Sequence, residues 1–160
     1  MLIKLENPLL LSKAIEIISE LVTEVRIRIN EYGLKIVAID PANVAMVSFK
    51  LPKSSFSQFE LGENEAIIGV NLESLKKVLR RAGSGSSLVL ERRDNLLHVQ
   101  IYDRIKRNFI LSLIEIDAPE KEIPEWEFSS VIEMSSIDFI DAIEDCIVVS
   151  DACSFIVKDN

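Results

Sequence analysis

Apolar residues near the start of the chain follow first a helical period and then an alternating one. An apolar segment at residues 2–5 is followed by Asn7 and Pro8, which suit the cap and the first turn of a helix. Apolar residues then recur as they do on one face of a helix. This stripe comprises Leu10, Leu11, Ala14, Ile15, Ile18 and Leu21. Alternation from residue 25 onward predicts strands at residues 25–29, 34–39 and 44–51.

The same order of elements is predicted again after a polar, Ser-rich segment at residues 52–64. A strand at residues 66–70 precedes Asn71, which can cap a helix that Gly83-Ser84-Gly85 would end. The apolar stripe of this helix comprises Leu72, Leu75, Val78, Leu79 and Ala82. Strands follow at residues 87–91, 96–102 and 109–116. Because a repeat sets the architecture, we predict an α+β fold of two β-α-β-β-β modules, at residues 1–64 and 65–116.

The remainder of the chain has a different character. Residues 117–128 contain Pro119, Pro124 and several acidic residues, which is typical of an extended connector between domains. Another copy of the repeat then begins, with a strand at residues 131–134, a helix capped by Ser135 or Ser136, and a strand through Cys153, Phe155 and Val157. The sequence therefore predicts a domain at 1–116, a connector at 117–128 and the start of a second, incomplete domain at 129–160.

Composition narrows the class of protein. Apolar residues make up 48% of the chain, enough for a core, and no apolar run approaches the roughly 20 residues of a membrane span. The start of the chain lacks the pattern of a signal peptide. Cys146 and Cys153 belong to no metal-binding motif and fit a reducing compartment. A net charge of -8 argues against a general coat for nucleic acid, although one face can still be basic.

Four cations on the second predicted helix are the strongest charged feature. Lys76, Lys77, Arg80 and Arg81 have the spacing of one helix face, and nothing acidic follows Glu73 on that face. A solvated face is one interpretation. However, like charges without carboxylate partners cost stability, so an anionic partner is the other interpretation. A phosphate backbone would suit such a face, and contacts with it are independent of base sequence.

No catalytic, metal or cofactor site is predicted. His98 is the only histidine, it is expected to point outward, and none of the common nucleotide-binding or hydrolase motifs occurs. The third predicted helix is acidic. Its carboxylates could form a metal cluster, but a solvated face is favoured because no histidine or second ligand run accompanies them. These residues are Asp138, Asp141, Glu144 and Asp145.

Three stretches resemble the DNA sliding clamps of the proliferating cell nuclear antigen family, most of all its archaeal members. Residues 34–47 resemble the strand-loop-strand of that family, with a D-x-x-x-V-x-x-V pattern that begins at Asp40. Residues 71–82 resemble its second basic helix. Residues 117–125 resemble its interdomain connector, where the pair Ile123-Pro124 is distinctive. The resemblance covers all 160 residues through order and spacing and not through one diagnostic motif.

This resemblance implies a ring of three subunits, identical or related, with sheets outside and helices lining a hole for duplex DNA. DNA would contact Lys13, Lys76, Lys77, Arg80 and Arg81. Client enzymes, namely DNA polymerase, flap endonuclease and DNA ligase, and also the clamp loader, would dock a short motif in a pocket. That pocket would comprise Ile39, Asn43, Val44, Met46, Lys121, Ile123 and Pro124. The neighbouring subunit would meet the strand edge at Phe109, Leu111 and Leu113. The ring would act in the cytoplasm of an archaeon, or in the nucleus of a eukaryote.

Three departures from the family pattern qualify these expectations. Lys121 stands where the family usually has an apolar pocket residue, so client preference would differ. The third predicted helix is acidic where a helix that faces DNA would be neutral or basic, which favours a mixed ring. Family members are also longer, so the chain is expected to lack most of the second domain. A protein–protein adaptor of clamp fold without DNA contact remains the alternative interpretation.

Overall fold

The computed structural model describes residues 1–62, 64–117 and 127–157, within two units, Met1–Ile123 and Pro124–Asn160. The elements of the first unit follow the predicted order. They are β1 Leu2–Leu5, α1 Leu9–Ser19, β2 Glu24–Asn30, β3 Gly33–Ile39, β4 Met46–Pro52, β5 Gln58–Glu60, β6 Glu65–Asn71, α2 Leu72–Leu79, β7 Ser87–Arg93, β8 Leu96–Tyr102 and β9 Lys106–Ser112. A 3₁₀ turn at Lys53–Ser55 precedes the short strand β5, which the sequence did not predict. The repeated β-α-β-β-β order and the α+β class are confirmed.

Asparagine side chains accept hydrogen bonds at the starts of both helices. Asn71 is the N-cap residue of α2, as predicted, whereas the N-cap residue of α1 is Pro8 and not Asn7. The Asn7 Oδ1 atom accepts a hydrogen bond from the Leu9 N–H at 3.1 Å, and Pro8 already has helical dihedral angles. The Asn71 Oδ1 atom accepts from the Ser74 N–H at 2.9 Å. Each bond satisfies a backbone donor that the first helical turn cannot pair internally.

The two modules exchange their first strands. One sheet has the order β5-β1-β7-β8-β9, and the other has the order β4-β3-β2-β6. Strand β1 therefore pairs with β7 of the second module, and β6 pairs with β2 of the first, both antiparallel. Because each sheet needs a strand from the other module, the two modules form one folded body with a shared hydrophobic core.

The buried residues come from both helices and both sheets. In β2 the buried residues are Val25, Ile27 and Ile29, as alternation predicts. In α1 they are Leu11, Ala14, Ile15 and Ile18. Leu10 was expected in this stripe but is exposed, because α1 turns its neighbour Leu11 into the core instead.

After β9 the chain crosses from one sheet to the other. The Leu113 N–H donates to the Asn95 carbonyl at 2.9 Å, and the Ile114 N–H donates to the Gly69 carbonyl at 3.0 Å. A Cβ atom at Gly69 would lie 2.1 Å from the Ile114 carbonyl oxygen, so β6 needs glycine at this crossing. The strand predicted at residues 109–116 is accordingly displaced to 106–112.

The described part of the second unit contains one helix, α3, at Ser136–Val149. Ser135 is its N-cap residue, although the serine side chain makes no capping bond. Residues 131–134 and 153–157 are not strands, contrary to prediction. Strands need partners for their backbone groups, and none of the described residues pairs with either segment. No helix among the described residues is both long and apolar enough to span a membrane.

Candidate functional site

The solvent-facing sides of α1 and α2 carry the candidate nucleic-acid surface. The two helices pack against each other, and Lys13, Lys77, Arg80 and Arg81 are exposed on them or directly after them. We call these four residues the basic helix surface. Helix α2 ends at Leu79, so Arg80 is its C-cap residue and Arg81 lies in the following turn.

Lys76 differs from its three neighbours, and the expectation that all four cations lie on one face opposite the apolar stripe was wrong for this residue. Its side chain is only 11% exposed. The Nζ atom lies 2.9 Å from Glu73 Oε1 and 3.5 Å from Glu20 Oε1, so the ammonium is held by carboxylates of both helices. The hydrogen bond that the Lys76 ammonium donates to Glu73 is the main cause that raises the pKa of Lys76. This lysine joins α1 to α2.

Arg80 also has a carboxylate partner, contrary to the expectation that these cations have none. Its guanidinium donates a hydrogen bond to Glu16 Oε1 of α1. This bond, with the attraction of the two charges, lowers the pKa of Glu16 and raises that of Arg80. The pattern along α2 alone contains no acid after Glu73 on the basic face. The signal that could have predicted these partners is the acidic pair Glu16 and Glu20 on the polar side of the other helix.

Three of the predicted DNA-binding cations have no carboxylate partner among the described residues. Among the described residues, Lys13, Lys77 and Arg81 form no ion pair. Lys13 does lie close enough to Glu16 to lower the pKa of that carboxyl by charge attraction. An exposed cation without a partner can meet a phosphate without first breaking an internal bond.

A loop shaped by Asp40 forms the second candidate site, between β3 and β4. Asp40 Oδ1 accepts hydrogen bonds from the backbone N–H groups of Val44 and Ala45 at 2.8 and 2.6 Å, and Oδ2 accepts from Ala42 at 3.0 Å. The bond from Ala45 is the main cause that lowers the pKa of Asp40. Asn43 adopts a left-handed φ of 56°, which asparagine tolerates better than most residues.

The Asp40 loop presents apolar side chains to solvent. Val44 is 86% exposed and Met46 is partly exposed, while Ile39 is half-buried directly opposite Met46 on the neighbouring strand. We call Ile39, Val44 and Met46 the client patch. Asn43 lies beside it, as predicted. Lys121, Ile123 and Pro124, the other predicted pocket residues, lie outside the described residues.

The predicted subunit edge is the outer strand of its sheet. Strand β9 pairs with β8 on one side and stands last in the sheet order. Phe109 and Leu111 are half-buried and pack against the core, and Leu113 is buried beyond the end of the strand. None of the three side chains projects outward. Ile110 does, with 60% of its surface exposed, and the alternation along β9 would have identified it.

The acidic residues of α3 are all exposed, and the part of the chain that the structure describes brings no three metal-ligating side chains together. The candidate sites are thus a partly neutralised basic surface, a small apolar patch and a strand edge. Each is suited to binding.

Comparison with known proteins supplies the relationship. A family model described as "Proliferating cell nuclear antigen, N-terminal domain" matches residues 1–121. The chain belongs to the proliferating cell nuclear antigen family. The DNA polymerase sliding clamp of Thermococcus onnurineus is 34% identical over 143 residues, which are 89% of this chain and 57% of that protein. The clamp of Pyrococcus abyssi is 33% identical over 93% of this chain and 60% of its own length.

Solved structures of the family share the fold. The crystal structure of the proliferating cell nuclear antigen from Thermococcus kodakaraensis superposes with a TM-score of 0.72 at 31% identity, over 78% of this chain and 51% of that one. A PCNA2–PCNA3 complex from Sulfolobus tokodaii gives 0.77 at 28% identity, over 91% of this chain and 61% of the matched chain. The present chain spans between about half and three fifths of the length of these relatives.

Proposed function

We propose that this chain is a subunit of a DNA sliding clamp, a ring-shaped processivity factor that encircles duplex DNA and tethers replication and repair enzymes. The observation that carries the proposal is the basic helix surface within a chain of net charge -8. Exposed cations on packed helices suit phosphates of any sequence. Enclosure by a ring would supply retention, so a few salt-sensitive contacts are enough and permit sliding.

The proposed organisation follows the family. Residues 1–116 form the N-terminal clamp domain, residues 117–128 the connector, and residues 129–160 the start of the C-terminal domain. Three subunits, identical or related, would close the ring, with Ile110 and the β9 edge at a subunit contact. The chain would have no catalytic activity, metal or cofactor of its own. It would work in the cytoplasm if the source is archaeal.

The client patch is the proposed docking site for the motifs of DNA polymerase, flap endonuclease, DNA ligase and the clamp loader. Exposed Val44 and Met46 supply an apolar contact surface for aromatic anchors. The Asp40 hydrogen bonds fix the loop before the client arrives, which reduces the entropy lost on binding. Lys121, Ile123 and Pro124 of the connector would complete the pocket.

Retention on DNA tests the proposal. The chain, alone and mixed with related clamp subunits, is loaded on nicked circular DNA, which is then cut. We expect retention on circles and loss from linear ends. In the double variant Lys77→Gln/Arg81→Gln, retention should fall. The plot of the logarithm of the binding constant against the logarithm of the salt concentration should also become shallower, by about 0.9 in slope for each cation removed. The matched control is Lys35→Gln/Lys50→Gln, which removes the same amount of charge. These two lysines lie opposite each other on β3 and β4, where they alternate with residues that face the core. Failure to be retained on circles in every mixture would contradict the proposal.

An adaptor of clamp fold without DNA contact is the second candidate. It is favoured by the carboxylates of Glu16, Glu20 and Glu73, which neutralise Arg80 and Lys76, and by the acidic α3. An adaptor would bind client enzymes equally well with or without Lys77 and Arg81, and no variant would alter binding to DNA.

A further inference from the structure

Glu16 and Arg80 form an ion pair at the solvent-exposed boundary of α1 and α2. The Arg80 side chain is 59% exposed, so its guanidinium is bound to Glu16 while still open to solvent. A DNA phosphate that approached this guanidinium would meet a site already occupied by an anionic oxygen. Phosphate and carboxylate bind arginine through the same donors.

We propose that Glu16 competes with the DNA phosphate for Arg80. By holding the Arg80 guanidinium, Glu16 keeps it from the duplex and limits the number of cations that the clamp offers to DNA. This inference rests on the proposed function, because it concerns the same basic helix surface. DNA contact would then run through Lys13, Lys77 and Arg81. A small number of phosphate contacts keeps binding weak, as sliding requires, without removing the positive charge near the helices.

The neighbouring pair behaves differently, and this gives an internal control. Lys76 is held by two carboxylates, and its side chain is largely buried between the helices. Removing Glu20 would leave Lys76 paired with Glu73 at 2.9 Å. Removing Glu16 would leave the exposed Arg80 without its hydrogen-bond partner. Glu16→Gln and Glu20→Gln remove the same charge from the same helix, but only the first frees a cation.

The experiment measures binding to a short labelled duplex by fluorescence anisotropy at several salt concentrations, with the whole chain. We expect Glu16→Gln to bind more tightly at low salt. Its salt slope, which is the slope of the logarithm of the binding constant against the logarithm of the salt concentration, should be steeper by about 0.9, the value for one further neutralised phosphate. A fourfold rise in salt should then weaken its binding roughly 3.5-fold more than it weakens the wild type. Glu20→Gln should keep the wild-type slope.

Two further variants separate the release of Arg80 from a general change in charge. In Glu16→Gln/Arg80→Gln the gain in slope should disappear, because the freed cation is gone. Glu16→Asp keeps the net charge but shortens the side chain, so it should give a smaller gain in the same direction. It also serves as the test if Glu16→Gln does not fold, which thermal unfolding of each variant would reveal.

Different outcomes of these experiments would overturn the competition by Glu16 and the proposed DNA-binding function. Equal slopes for Glu16→Gln and Glu20→Gln, or a gain that persists without Arg80, would refute competition by Glu16. If Lys77→Gln/Arg81→Gln loses binding while Glu16→Gln matches the wild type, this inference fails and the clamp proposal stands. If neither the wild type nor any variant binds the duplex, the DNA-binding function fails and this inference fails with it.

Discussion

The carboxylate of Asp40 shapes the loop that carries the client patch, since it accepts hydrogen bonds from three backbone N–H groups. We predict that Asp40→Asn lowers the urea midpoint of unfolding at neutral pH, because a neutral amide oxygen is a weaker acceptor and its NH₂ group cannot accept at all. The pKa of Asp40 is lowered in the folded chain, chiefly by the bond from Ala45. Its stabilising effect is therefore present above the ordinary aspartate pKa of about 3.9 and is lost as the pH falls through the lower folded value.

Urea unfolding of the wild type and of Asp40→Asn, measured at neutral pH and in acid, checks this prediction. The difference between the two midpoints should shrink as the pH drops below about 3.9. A difference that is the same at every pH would mean that the charge of Asp40 does not matter to the loop.

Single residues differ in how far the sequence identifies their roles. The cap at Asn71 was predictable because a cap acts within one helical turn. The D-x-x-x-V-x-x-V pattern located the Asp40 loop, but not its hydrogen bonds. The pairing of Arg80 with Glu16 joins residues 64 positions apart, so it depends on how α1 meets α2. Periodicity along one helix contains no information about that contact.

At the scale of elements, Gly69 marks the place where the chain crosses between the sheets. We predict that Gly69→Ala destabilises the fold by about 2 kcal/mol, as overpacking against fixed backbone commonly does. The added Cβ atom would lie 2.1 Å from the Ile114 carbonyl oxygen, so the hydrogen bond between the Ile114 N–H and Gly69 would also be strained. Equilibrium unfolding in urea measures the loss.

Gly83→Ala is the matched control for this exchange. A Cβ atom at Gly83 would meet nothing within 4 Å. This variant should therefore be neutral or more stable by up to about 1 kcal/mol, through a smaller entropy of the unfolded chain. Equal losses at both positions would show that the crossing at Gly69 is not tightly packed.

Helices and strands were predictable where a local period in the sequence determines them. They were not predictable where the structure depends on which strands pair with each other. Both helices and the alternating strands of the first unit follow from patterns within ten or so residues. The exchange of β1 and β6 between the sheets is a long-range pairing, and nothing in either strand specifies its partner. Residues 131–134 have a strand-like pattern but no partner among the described residues, so the pattern alone does not produce a strand.

At the scale of the whole molecule, the proposed function requires two properties to coexist: a strongly acidic chain and a surface that can contact DNA. The net charge of -8 disfavours contact with nucleic acid over most of the surface. The exposed cations Lys13, Lys77 and Arg81 provide one surface on which the proposed contact with phosphates would take place. Charge of this distribution would orient the clamp on DNA while it limits adhesion elsewhere.

The proposed ring also has to close, and among the described residues β9 offers an unpaired backbone edge at which another subunit could pair. We predict that Ile110→Lys weakens association with a related full-length clamp subunit roughly tenfold, because an outward lysine on an edge strand opposes pairing with another strand. The residue is 60% exposed, so the stability of the isolated chain should change by no more than about 0.5 kcal/mol. Sedimentation velocity of the mixture measures the association.

Ile17→Lys is the control for this interface, because Ile17 is 63% exposed but lies on α1. It introduces the same charge on an equally exposed isoleucine, away from the strand edge, and should leave association unchanged. If both variants weaken association equally, a general effect of the added lysine is responsible and β9 is not the contact. If neither does, the subunits meet elsewhere. Only a selective effect of Ile110→Lys assigns the subunit contact to the β9 edge, because strand pairing depends on the position of the substitution whereas a general effect of charge does not.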